Sequence, residues 1–169
     1  MISRAFLCVA ALGVLAFLAN GCKSQETDQK ENRVEGYIKL LKSDVSDERA
    51  NAAKALGDMR ATTNNAPDEL KTALSDSTPK VQKAAADALV KIGTKESFQN
   101  LKDGVIDLKK ANNPGAADVE KIYADGVDDL RDKAAKGEAG AKDTLEALGE
   151  PVDSSVEPDR EHGVKVEIK

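Results

Sequence analysis

Nucleophilic catalysis needs a base held rigidly beside its nucleophile. This chain of 169 residues offers a single His, His162, and two Cys, Cys8 and Cys22. His162 lies between Pro158 and Gly163 in a polar C-terminal stretch, where no periodic element would hold its ring, so it reads as a solvated tail residue. One His and so few thiols cannot supply the tetrahedral ligand set of a zinc site. Carboxylates alone can bind calcium, but Asp125-Gly-Val-Asp128-Asp129 lacks the spacing and closing Glu of a twelve-residue calcium loop. That segment falls within helical periodicity and reads as an exposed helix face. Gly104, Gly115 and Gly126 stand singly among helix formers, which is no phosphate-cradling loop. Paired acids for glycoside cleavage would need ring-lined clefts, yet aromatic residues make up 3% of the chain and Trp is absent. The expectation is a protein that is not an enzyme, with no catalytic residues, no metal and no cofactor.

The charge balance narrows the partners. A formal net charge of −5 repels a phosphate backbone, so nucleic acid is not expected as a ligand. The basic residues Lys80, Lys83 and Lys91 alternate with acids, and Lys109-Lys110 suit the negative end of a helix dipole. With 40% hydrophobic residues and few rings, the core must be built from Ala, Leu, Val and Ile.

The N-terminus has the layout of an export signal: Arg4 in a short basic start, an apolar run from Ala5 to Leu18, then Ala19-Asn20-Gly21. The run is shorter than the roughly 20 residues that a membrane-spanning helix needs. The junction Leu18-Ala19-Asn20-Gly21-Cys22 resembles the lipobox of bacterial lipoprotein precursors. That resemblance implies a signal peptide over 1–21 and makes Cys22 the acylated first residue of the mature chain, its site of lipid attachment. The alternative is an ordinary cleavage that leaves Cys22 a plain thiol. With Cys8 lost in the leader, Cys22 would have no disulfide partner, and a thioether to lipid removes the hazard of an exposed thiol. Residues 22–32 carry no apolar side chain after the cysteine and are expected to form a flexible tether. In family terms, Lys23 after the cysteine resembles the outer-membrane sorting state.

From residue 33 to 149 the apolar residues recur at helical spacing, with turn signals every 10–20 residues. Asn32-Arg-Val-Glu35 predicts a capping box opening the first helix, with Val34, Tyr37, Ile38 and Leu41 inward. Ser46 is expected to cap the second, which buries Ala52, Ala55, Leu56 and Met59. After a Thr- and Asn-rich loop comes a helix opened by Ala66-Pro67-Asp68. Thr78-Pro79 starts a fourth, striped by Val81, Ala85, Ala88, Leu89 and Ile92 and stopped by Gly93. A fifth from Lys95 carries Phe98, Leu101, Val105 and Leu108. The sixth, Ala116 to Lys136, has Gly126 as a soft spot and acid-base pairs Asp129 with Lys133 and Asp132 with Lys136. Glu138 to Leu148 forms a last segment before a polar tail over 150–169, expected to be mobile, in which Val164 to Ile168 is at most a weak strand.

Shifting Leu41–Met59 by 33 residues aligns Leu41 with Leu74, Ala52 with Ala85, Ala55 with Ala88, Leu56 with Leu89 and Met59 with Ile92. One gap brings Ser43-Asp44 onto Ser75-Asp76. The shared leucine, acidic turn and Ala-rich helix resemble the short bacterial HEAT-like repeats of the phycobilisome-lyase type. The resemblance covers roughly residues 37–108 and implies an all-α fold, a short α-solenoid of antiparallel helix pairs; a plain helical bundle is the alternative. Alanine contacts let helix axes approach toward the low end of 8–10 Å, and stacking buries stripes that no single hairpin could cover. The functional expectation is a monomeric, membrane-anchored scaffold that binds another protein in the bacterial cell envelope, on the outer membrane. The rival expectation is a structural spacer or envelope-stress component without a dedicated partner. A scaffold should show an apolar or single-sign patch, and a spacer should be evenly charged.

Overall fold

The computed structural model describes residues 28–63 and 66–152. Seven helices follow one another: α1 (28–40), α2 (Ser46–Asp58), α3 (Ala66–Leu74), α4 (Pro79–Ile92), α5 (Lys95–Lys110), α6 (Ala116–Ala135) and α7 (Ala141–Leu148). No strand occurs among the described residues. Helices two apart in sequence pack side by side, α2 on α4 and α4 on α6 in one row, α3 on α5 and α5 on α7 in the other. Antiparallel neighbours close the layers: α3 on α4, α5 on α6 and α6 on α7. This is an all-α, solenoid-like stack.

The core follows the aliphatic stripes. Leu56, Leu70, Leu74, Leu89, Leu101 and Leu145 are fully buried, and Phe98 joins them near the middle of the stack. Alanine fills the closest contacts, with Ala52, Ala53, Ala85, Ala86 and Ala88 all at 1% exposure or less. Small side chains at these crossings bring the α2 and α4 backbones together, which is why so few rings suffice for a dry interior. No described helix is long and apolar enough to cross a membrane.

Several ends differ from the sequence expectation. α1 already runs through residues 28–31, so Asn32 lies inside the helix and does not open it. Residues 28–33 are exposed, and a helix turn that buries nothing leaves no hydrophobic period to read. Ser46 is the first residue of α2, and the N-cap Val45 has no capping side chain; Ser43 Oγ instead accepts from Val45 N at 3.2 Å and donates to Glu48. Thr78 occupies the N-cap of α4 but its hydroxyl does not cap; the Asp76 carboxylate accepts from Thr78 N at 2.8 Å, an Asx turn that leads into Pro79. At α5 the side chain of Thr94 does cap, accepting from Ser97 N at 3.2 Å. The last helix starts at Ala141, later than Glu138, after Gly137 and Gly140 in left-handed conformations.

Candidate functional site

Cys22, the expected lipid attachment residue, and His162 lie outside the described residues. The acid run in α6 engages its own helix: Asp128 pairs with Arg131 at 2.7 Å and Asp129 with Lys133 at 2.6 Å. Among the described residues, no group of three or more His, Cys, Asp or Glu stands close enough to hold a metal ion.

What the stack does bring together are equivalent positions of successive units. Asp47 accepts from Lys80 at 2.7 Å and Asp58 from Lys91 at 2.5 Å, each across 33 residues, the period of the repeat. Both aspartates titrate below the usual carboxylate range because the lysine donates to them. Beneath these exposed rungs lies a more buried one. Arg49 grips Asp76 through Nε at 2.6 Å and Nη2 at 3.0 Å, and its Nη1 donates to Ser43 O at 2.8 Å, so it ties the turn of its own unit to that of the next. In the second unit Gln82 takes the place of Arg49 and donates to Asp76 O and, at 3.3 Å, to Asn113 Oδ1. The α3–α5 row has rungs of its own, Asn100 to Asp68 at 3.0 Å and Lys71 to Asp103 at 3.0 Å.

Glycines set the closest approaches. A Cβ on Gly57 would stand 2.6 Å from Ala88 Cα, and one on Gly126 would stand 2.9 Å from Val90 Cγ2 and 3.1 Å from Phe98 Cε1. Gly126 is therefore a packing contact between α4, α5 and α6, where the sequence alone suggested a weak point. At the far end, Arg131, with 7% of its side chain exposed, donates to Asp128, to Glu150 at 3.2 Å and to Pro151 O at 3.1 Å. Glu150 also accepts from Tyr123 Oη at 3.0 Å. Burial first, then the Glu150 charge, pushes the Tyr123 phenol well above its ordinary value, so it stays a neutral donor. Lys102 completes the clasp by donating to Leu148 O at 2.5 Å.

Two concave surfaces among the described residues bear on binding. One is a groove along the α2–α4 contact, lined by Asn51, Lys54, Lys80, Ala84, Asp87 and Lys91. The other is a hollow of about 480 Å³ along the edge of the stack, where the α2 end, the α4–α5 turn and the α6–α7 turn meet. Arg60, Lys91, Lys95 and Lys133 surround it, with Glu138 as the acid in its lining. Sequence reasoning did not single out Arg49, Arg60, Arg131 or Glu150. For Arg60 a signal was available: it stands 33 residues before Gly93, so the repeat assigns it a helix-ending position where glycine is the ordinary choice.

Residues 34–110 match the HEAT repeat family. No curated protein and no solved structure matches the chain. HEAT repeats generally mediate protein-protein contact and are generally non-catalytic.

Proposed function

We propose that the chain is a lipoprotein of the bacterial cell envelope, held to the membrane through acylated Cys22, whose helical stack binds another protein and performs no catalysis. The observation that carries the binding half is the HEAT repeat match over residues 34–110 together with the row of α2 and α4 that leaves a groove along its length. The anchoring half rests on the sequence: the apolar run from Ala5 to Leu18 and the small residues before Cys22. One acyl chain holds a protein only marginally, whereas two or more, at about 0.8 kcal/mol per buried methylene, hold it durably.

The rival reading is a spacer with no dedicated partner, and the paired rungs Asp47–Lys80 and Asp58–Lys91 fit it, because they neutralise charge between α2 and α4. The hollow along the stack edge favours the scaffold, since bases outnumber acids around it on a chain whose net charge is −5. Palmitate labelling tests the anchor: wild type should incorporate label and fractionate with membranes, and Cys22→Ala should do neither. Crosslinking in intact envelopes tests the binding; recovery of one partner at stoichiometric levels supports the scaffold, and recovery of only abundant outer-membrane proteins supports the spacer.

A further inference from the structure

Five described helix ends close on a left-handed residue: Arg60 after α2, Gly93 after α4, Asn112 after α5, Gly137 after α6 and Gly149 after α7. Glycine and asparagine adopt that conformation readily. Arg60, at φ 46°, gains nothing from it locally. A long charged side chain held in a conformation that disfavours it directs attention to what that side chain faces. Arg60 lines the hollow of about 480 Å³ described above, together with Lys91, Lys95 and Lys133.

The charges around it are not all neutralised within the fold. Lys91 is paired with Asp58 and Lys133 with Asp129. The side chains of Arg60 and Lys95 have no ion-pair partner among the described residues. Even counting Asp58, Asp129 and Glu138 as counter-ions, the four bases are in surplus. Under this basic rim the lining is mixed: Thr94 and the half-buried Val90 are accessible, with Ile92, Phe98, Leu130 and Ala141 buried behind them.

We propose that the hollow receives an acidic segment of the partner protein, with its carboxylates on Arg60 and Lys95. The proposal rests on the protein-binding reading above and locates its anchor point. The basic residues would meet the carboxylates as charge-assisted contacts, which predicts an affinity that falls with salt.

The test is a polarisation titration of the purified full chain with a fluorescein-labelled peptide Asp-Glu-Leu-Asp-Glu, amidated at its end. Binding should weaken about tenfold in Arg60→Gly and in Lys95→Gln. It should also be lost for the amide peptide Asn-Gln-Leu-Asn-Gln. Arg60→Gly is chosen because glycine suits the left-handed position, so its thermal midpoint should hold or rise while its affinity drops. A loss of affinity with unchanged folding cannot then be blamed on unfolding. Equal binding of the amide peptide, or of Arg60→Gly, would overturn the proposal. So would displacement of the peptide by equimolar inorganic phosphate, or by vesicles of anionic phospholipid that fail to bind Arg60→Gly. If Arg60→Gly still captures the same partner in envelope crosslinking, this anchor point is wrong and the scaffold reading stands; if wild type captures none, the scaffold reading itself fails.

Discussion

Arg49 and Asp76 are 27 residues apart and form a two-point contact, Nε to Oδ2 at 2.6 Å and Nη2 to Oδ1 at 3.0 Å, with side chains 15% and 12% exposed. The same arginine holds the Ser43 and Asp44 carbonyls, so two turns of chain converge on one guanidinium. Its removal takes both guanidinium contacts from the Asp76 carboxylate. Arg49→Ala is expected to lower unfolding free energy, measured by urea denaturation.

The same pair sets an acid limit. The Arg49 hydrogen bonds hold Asp76 below its ordinary 3.8, with the backbone N–H of Thr78 assisting. A carboxylate whose folded value is depressed contributes stability that is complete above its unfolded value and is lost as pH falls through the folded one. Stability should therefore fall as pH drops below about 4, and Asp76→Asn should flatten that part of the profile while lowering stability at neutral pH. An unchanged slope in the variant would show that other carboxylates dominate.

Gly57 and Gly36 form a matched comparison. Alanine is the better helix former at both, by about 1 kcal/mol. A Cβ at Gly36 meets nothing within 4 Å, whereas at Gly57 it would collide with the Ala88 backbone. Gly36→Ala should stabilise by up to about 1 kcal/mol, and Gly57→Ala should destabilise by about 2 kcal/mol as α2 is pushed off α4. Two changes of the same chemistry with opposite signs in a thermal melt would establish that the α2–α4 spacing is set by contact.

Relief of the left-handed backbone at Arg60 is expected to stabilise the fold by about 1 kcal/mol in Arg60→Gly. Asn112, at φ 50°, should respond less to the same change, because asparagine tolerates that region. Chemical denaturation of the two variants side by side gives the comparison directly.

Glu150 holds the last helix through Tyr123 and Arg131. Glu150→Gln leaves the buried Arg131 guanidinium with Asp128 and a carbonyl, and should cost about 2 kcal/mol. The loosening should be local. Amide exchange is expected to quicken over 141–148 before it changes in α2 and α4, as read by mass spectrometry of exchanged fragments.

The helices and their buried faces were legible because aliphatic stripes and Ala-rich crossings carry the period in the chain itself. Phe98, Leu101, Val105 and Leu108 were read inward and are buried, and Pro79 and Gly93 bound α4 where the turn chemistry placed them. Less legible were features that depend on what a neighbouring helix presents. Ser46 and Thr78 had the right residue types for capping, yet neither caps; Ser43 and Asp76 instead accept from the N–H groups of the N-cap residues Val45 and Thr78. Gly126 has a cost in a helix that sequence can count, and a contact with Val90 and Phe98 that sequence cannot. Lys109 suited the helix dipole, but in the fold it also reaches Glu120 at 2.5 Å. The basic hollow draws its rim from four separate helix ends and turns, so no single stretch of chain announces it.

The rungs between α2 and α4 give the array a built-in direction. Asp47 and Asp58 on one helix face Lys80 and Lys91 at the matching places of the next. Duplicating the first unit would set acid against acid, and duplicating the second would set base against base. Neither helix pair can template its own copy, so the order of modules is written in charge.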